Sequence, residues 1–136
     1  MDTSLLRDVL NVKGDNVACV TADQTVLEAM RVLADKNLGA LGVLEEGRLV
    51  GMISERDCVR KVELQGRQTA DTKVRDIMST TLTTATPDTG VLDAVDTLME
   101  RGIRHLPIME NERVVGILSI RELVEQIAQD QHKLIS

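Results

Sequence analysis

Residues 21–59 and 86–124 are two copies of one pattern, offset by 65 residues without a gap. Fourteen of the 39 aligned positions are identical: Thr21, Asp23, Val26, Leu27, Ala29, Leu33, Leu41, Glu45, Arg48, Val50, Gly51, Ser54, Arg56 and Val59 recur in the second copy. Unrelated segments of ordinary composition agree at about 3 such positions, so the chain is an internal duplication. Each copy ends alike. Arg-Leu-Val-Gly-Met-Ile-Ser-Glu-Arg-Asp (48–57) and Arg-Val-Val-Gly-Ile-Leu-Ser-Ile-Arg-Glu (113–122) both run an apolar strand into Ser-x-Arg-acid at a helix start.

The duplication restricts the fold to two small units of mixed α/β type. Each reads strand, helix, strand, strand, helix. In copy one, Val17–Val20 is a short strand, and Thr25 caps a helix through Lys36 with Val26, Ala29, Met30 and Leu33 at helical spacing. Gly39 is expected to close it. Ala40–Leu44 and Leu49–Ile53 flank the hairpin turn Glu45-Glu46-Gly47-Arg48, and Ser54 opens a helix through about Val62. Copy two repeats the plan with a strand at Leu82–Ala85, a helix from about Gly90 to Arg101 stopped by Gly102, strands at 104–109 and 113–118, and a final helix from Ser119. Its tail, Gln126–Ser136, extends that helix and frays. Arg-Asp-Val-Leu (7–10) and Arg-Asp-Ile-Met (75–78) are lead-in helices at an offset of 68, so copy one holds three extra residues near Asn11–Asn16. The polar stretch Glu63–Thr72 lacks apolar periodicity. Domain boundaries follow: 1–62 for the first repeat with its lead-in, 63–72 for a linker, 73–136 for the second.

Composition narrows the function. The chain of 136 residues has no Phe, Tyr or Trp, so no aromatic platform can stack a base, and packing rests on aliphatic side chains and six Met. The net charge of −6 disfavours a phosphate-tracking nucleic-acid surface. A local basic pocket from Arg104, His105, Arg56, Arg60 and Lys61 stays compatible with that balance. No stretch approaches the roughly 20 apolar residues of a membrane span, and the first residues lack a secretion signal's basic start and apolar run. A cytoplasmic protein is the expectation. Cys19 and Cys58 are expected as buried free thiols, because they lack zinc or redox spacing.

Ser54-x-x-Asp57 and Ser119-x-x-Glu122 admit two readings. One is the capping box, in which the hydroxyl takes an orphan backbone N–H and the acid reaches back. The other is a ligand site: free N–H groups suit phosphate, while hydroxyl and carboxylate suit the paired hydroxyls of a ribose. Arg56 and Arg121 are either solvated or phosphate contacts. Arg104-His105-Leu106-Pro107 aligns with the uncharged Gly39-Ala40-Leu41-Gly42, so it is either an exposed basic strand end or a cationic wall facing a small-residue gap where a ligand lies close to backbone. His105 has no accompanying nucleophile or second base. Lys13-Gly14-Asp15 is either a turn or a phosphate contact. No metal cluster, Ser–His–Asp set or phosphate loop is present, so catalysis is not expected.

From about Leu5 to Gln129 the chain resembles a tandem pair of cystathionine-β-synthase (CBS) domains, a Bateman module of the stand-alone type. The family's ribose-binding pattern, Gly-apolar-apolar-Ser/Thr-x-x-Asp, is met by Gly51-Met52-Ile53-Ser54-Glu55-Arg56-Asp57. Copy two, Gly116–Glu122, departs from it with Glu for Asp. Arg104-His105-Leu106-Pro107-Ile108 resembles the stretch that contacts nucleotide phosphate in adenylate-sensing members. The resemblance implies an α/β (α+β) fold of two βαββα units with three-stranded sheets, packed about a pseudo-two-fold axis with two clefts. It also implies a homodimer that binds an adenine nucleotide (AMP, ADP, ATP or NAD) and regulates a partner protein without being an enzyme. Ser54 and Asp57 would meet one ribose, Ser119 and Glu122 another. Arg56, Arg104, His105 and Arg121 would meet phosphates, and Gly39 and Ala40 would let the adenine lie against backbone. The alternative is a non-catalytic dimerisation scaffold with degenerate clefts.

Overall fold

The computed structural model describes residues 4–14 and 17–135. In chain order the elements are α1 (Leu6–Lys13), β1 (Cys19–Thr21), α2 (Val26–Lys36), β2 (Ala40–Glu45), β3 (Arg48–Ser54), α3 (Glu55–Cys58), α4 (Val74–Ile77), α5 (Val91–Arg101), β4 (His105–Glu110), β5 (Arg113–Ser119) and α6 (Ile120–Ile135). They form two compact units. A central unit holds Ala18–Leu82, and a terminal unit joins Met1–Val17 to Thr83–Ser136.

These units are not the sequence repeats. The lead-in of copy one, α1, packs with copy two, and α4, the lead-in of copy two, packs with copy one. The exchange is duplicated bond for bond. In the terminal unit Leu6 N donates to Thr89 O at 2.9 Å, Arg7 N to Pro87 O at 2.9 Å and Val91 N to Ser4 O at 2.9 Å. In the central unit Val74 N donates to Gln24 O at 2.8 Å, Arg75 N to Ala22 O at 3.1 Å and Val26 N to Thr72 O at 2.8 Å. Each lead-in thereby satisfies an orphan donor at the start of the long helix beside it. Arg7 pairs with Asp88 as Arg75 pairs with Asp23. The polar stretch 63–72, expected as a linker, holds a 3₁₀ turn at Thr69–Asp71, and Thr72 is buried with its hydroxyl on Gln68 O.

The central sheet has order β1-β2-β3, with β1 parallel to β2 and β2 antiparallel to β3. Its core gathers Val26, Ala29 and Leu33 of α2 with Leu41, Val43, Ile53, Val62, Val74 and Ile77. The terminal unit's core gathers Leu6 and Val9 of α1 with Leu98, Leu106, Ile108, Leu118 and Leu123. Fully burying such a side chain stabilises by about 1.5–3 kcal/mol, so both lead-ins matter to their units. The expected third strand of the terminal sheet is reduced to a single parallel bridge, Ala85↔Ile108, beside the β4-β5 pair. Polar Thr83 and Thr84 offer that edge no apolar alternation.

Two helix ends also differ from expectation. Asn37, not Gly39, ends α2 in the left-handed region at φ 53°, and its repeat partner Gly102 ends α5 at φ 64°. The helix after Ser54 is α-helical only to Cys58; from Val59 to Glu63 it widens into a π turn that buries Val62. Of the Lys13-Gly14-Asp15 turn, Asp15 lies outside the described residues, as does Asn16.

Gly51 and Gly116 occupy equivalent points of β3 and β5, and each is crossed by a lead-in segment. A Cβ on Gly51 would lie 2.7 Å from Met78 Sδ and 2.9 Å from Ser79 O. One on Gly116 would lie 2.2 Å from Leu10 Cδ2. Leu10 and Met78 are themselves equivalent at the offset of 68. At Gly51 the crossing backbone leaves no room for a Cβ, whereas at Gly116 the neighbour is the end of the Leu10 side chain.

Candidate functional site

In each unit the residues singled out in the sequence meet at one strand–helix junction. In the central unit Ala40 pairs with Ser54 across β2 and β3, and Glu55 N donates to Gly39 O at 3.1 Å. In the terminal unit His105 pairs with Ser119, and Ile120 N donates to Arg104 O at 2.9 Å. Gly39 and Ala40 thus lie against the start of α3 as Arg104 and His105 lie against the start of α6. Gly39 is exposed and Ala40 buried; Arg104 is exposed and His105 half-buried.

Both Ser-x-x-acid motifs close as capping boxes. Ser54 N donates to Asp57 Oδ2 at 3.1 Å, Ser54 Oγ to the same oxygen at 3.0 Å, and Asp57 N to Ser54 Oγ at 3.1 Å. In the other junction Ser119 N donates to Glu122 Oε1 at 3.0 Å, and Glu122 N to Ser119 Oγ at 3.2 Å. The box at Ser119 is thus closed by two bonds and that at Ser54 by three.

Lysines complete both junctions. Lys61 Nζ lies 3.3 Å from Asp57 Oδ1 and donates to Ile77 O at 2.9 Å. Lys13 Nζ lies 3.1 Å from Glu122 Oε1 and donates to Ile117 O at 2.7 Å. Lys61 is expected from the sequence as part of a basic pocket and Lys13 as a turn or a phosphate contact, neither as the partner of an acid. The spacing of Asp57 and Lys61, one helical turn, was a readable signal. The meeting of Lys13 with Glu122 was not, because it depends on the exchange of α1.

The two arginines behave differently from each other. Arg56 is exposed at the start of α3. Arg121 is 87% exposed and pairs along its own helix with Glu125 at 3.2 Å. Burial holds the His105 imidazole below its ordinary value of 6.5; Glu122 opposes this, and Lys13 and Arg104 add to it. Cys58 is buried beneath the central junction, and burial with Asp57, Glu55 and Glu63 pushes its thiol up to about 11. Among the described residues no group of three His, Cys, Asp or Glu is placed to hold a metal ion. Nor is any helix among them long and apolar enough to cross a membrane.

Comparison with known proteins agrees with this architecture. The CBS domain family model matches twice, at residues 6–64 and 74–129. The mitochondrial CBS domain-containing protein CBSX3 of Arabidopsis thaliana is 34% identical over 141 residues, spanning 97% of this chain and 68% of its own length. The crystal structure of the CBS domain protein NE2398 superposes with a TM-score of 0.88 at 32% identity, covering 93% of this chain and 99% of that one. The CBS domain pair of protein MJ0100, crystallised with 5′-methylthioadenosine and S-adenosylmethionine, superposes with a TM-score of 0.83 at 24% identity over 95% of this chain and 99% of its own.

Proposed function

The chain belongs to the CBS domain family, and on that premise we propose that it is a regulatory module that binds an adenine nucleotide. AMP, ADP, ATP and NAD(H) are the candidate ligands. The module acts as a cytoplasmic homodimer and modulates a partner protein, because ligand binds two conformations with different affinity. It performs no catalysis of its own.

One observation carries the reading. In each unit a serine, an acid and a lysine converge at a helix start, beside an edge that is small in one copy (Gly39, Ala40) and basic in the other (Arg104, His105). A carboxylate at a strand end suits a ribose diol, and the basic edge suits phosphate. Ser54 with Asp57, and Ser119 with Glu122, are assigned to ribose. Arg104 and His105 are assigned to phosphate in the terminal unit, Arg56 in the central unit, and Arg121 only after leaving Glu125. Gly39 and Ala40 are assigned to the adenine face. The MJ0100 pair, at an identity that speaks for the fold, illustrates that this fold accommodates adenosine derivatives.

The rival reading is a dimerisation scaffold in which both boxes are only caps, and the closed boxes favour it as far as they go. The absence of aromatic residues makes the test simple, since the chain barely absorbs where adenine does. An adenine band in the purified protein that passes a filter after unfolding supports the sensor, and mass spectrometry names the ligand. Calorimetric titration with AMP, ATP and NAD then compares the parent with Asp57→Ala. Lost affinity with an intact fold supports the sensor. No binding to the parent, with a loss of only about 1 kcal/mol of stability in the variant, supports the scaffold.

A further inference from the structure

The two lysines come from places that the duplication does not relate. At the offset of 65 the counterpart of Lys61 is Gln126; Lys13 lies where copy one carries its extra residues, opposite Thr81 when the lead-in offset of 68 is carried on. Neither counterpart is basic. Yet both acids face an ammonium, supplied by the π turn in the central unit and by the end of α1 in the terminal unit. Both ammonium groups are held in the same way, by the acid and by one backbone carbonyl. Inheritance from one ancestral repeat does not explain two lysines at unrelated positions. A shared chemical need at the junction does.

Capping supplies no such need. The box is complete through Ser54 and Ser119 without either lysine. What the ammonium changes is the charge seen by an incoming ligand. A bare carboxylate that grips a ribose repels the phosphate attached to that ribose. A lysine 3.1–3.3 Å from it cancels the repulsion and keeps a third N–H for a phosphate oxygen. The pairs are partly shielded, with side-chain exposures of 27% and 30% for Lys13 and Glu122, and 46% and 21% for Lys61 and Asp57. Solvent screening is accordingly incomplete.

We propose that Lys13 and Lys61 are specificity-determining residues, which make the two junctions select phosphorylated over unphosphorylated adenosine ligands. This rests on the adenine-nucleotide reading above. Lys13 sets the preference of the terminal unit and Lys61 that of the central unit. The exchanged α1 therefore contributes a recognition residue as well as packing.

The test is calorimetric titration of the parent, Lys13→Gln, Lys61→Gln and the double variant with AMP and with adenosine. The corresponding Lys→Arg variants and far-ultraviolet circular dichroism check the fold. Each Gln variant is expected to lose about tenfold in AMP affinity at its own site, one charge-assisted contact's worth, while adenosine affinity changes less than about twofold. Arginine restores the preference for AMP. If AMP and adenosine weaken equally, or neither changes, the proposal is overturned while nucleotide binding stands. If the parent binds neither compound the proposal falls, and the nucleotide reading falls with it where ATP and NAD also fail to bind. Unfolding of a Gln variant whose Arg counterpart folds and shows no preference for AMP also overturns it, because the lysine is then only structural.

Discussion

Replacing Gly51 by Ala tests the close approach on which the central junction is built. The new Cβ would lie 2.7 Å from Met78 Sδ, which can swing aside, and 2.9 Å from Ser79 O, which cannot. Ser79 is bound on both sides to Met52: Met52 N donates to Ser79 O at 3.0 Å, and Ser79 N donates to Met52 O at 2.8 Å. Restoring an ordinary carbon–oxygen distance pushes the segment out by a few tenths of an ångström. Overpacking of that kind costs about 1–3 kcal/mol, and stretching two hydrogen bonds adds a fraction of about 0.5–1.5 kcal/mol each. Ala recovers about 0.5–1 kcal/mol through lower unfolded-chain entropy. The net expectation is a loss of about 2–3 kcal/mol. Gly116→Ala meets only the side chain of Leu10, so its cost is smaller, about 1–2 kcal/mol, and coupled to Leu10. Urea unfolding followed by far-ultraviolet circular dichroism reads both, since the chain has no Trp for fluorescence. A neutral Gly51→Ala, or one milder than Gly116→Ala, would refute the argument that backbone crossing fixes this glycine.

Four further outcomes are expected. Glu112 sits at φ 65° where copy one has Gly47 at φ 78°, so Glu112→Gly should raise stability by about 0.5–1 kcal/mol, read as a higher urea midpoint at unchanged slope. Because the folded His105 pKa lies below 6.5, the unfolded chain takes up that proton first. The stability owed to neutral His105 is complete above about pH 6.5 and declines as pH falls towards the folded pKa, so His105→Gln should flatten the change in urea midpoint between about pH 7.5 and about pH 5.5. Cys58, buried with its thiol pushed up to about 11, should resist a thiol reagent at neutral pH until denaturant is added, whereas Cys19, only partly buried, should label earlier; mass spectrometry distinguishes them. A fragment of residues 18–82 should fold, because it holds the core from Val20 to Ile77; a fragment of 1–62 should not, because it lacks Thr72, Val74 and Ile77, and circular dichroism separates the two.

Much of the secondary structure was legible because local rules fix it. Thr25 caps α2 as expected, in a box closed by Glu28, and Glu46-Gly47 turns the first hairpin with both residues at positive φ. Where reading failed, a competing local choice or a long-range contact had won. Gly39 looked like a helix stop because glycine usually is one, yet the alignment already paired Asn37 with Gly102, and asparagine tolerates the left-handed region. The widened turn at Val59–Glu63 carries no periodic signal in five residues. The bridge at Ala85 falls short of a strand for want of apolar alternation on either side.

The domain boundaries show why repeats and folding units can part company. A duplicated sequence shows only which segments descend from one another. Every bond between a lead-in and its long helix could be made within a copy or exchanged between copies, with the same donors, acceptors and glycine. The three extra residues near Asn11–Asn16 were the one visible sign that α1 is tethered differently from α4. Exchange has a chemical consequence that sequence reading could not reach: it carries Lys13 to Glu122, 109 residues away. Copy one, whose lead-in has gone elsewhere, answers the same need with Lys61, one helical turn from Asp57. The exchange is the same in both units, so the different sources of the two lysines lie in the residues themselves: Lys13 at the end of one lead-in, and Lys61 where the other copy has Gln126.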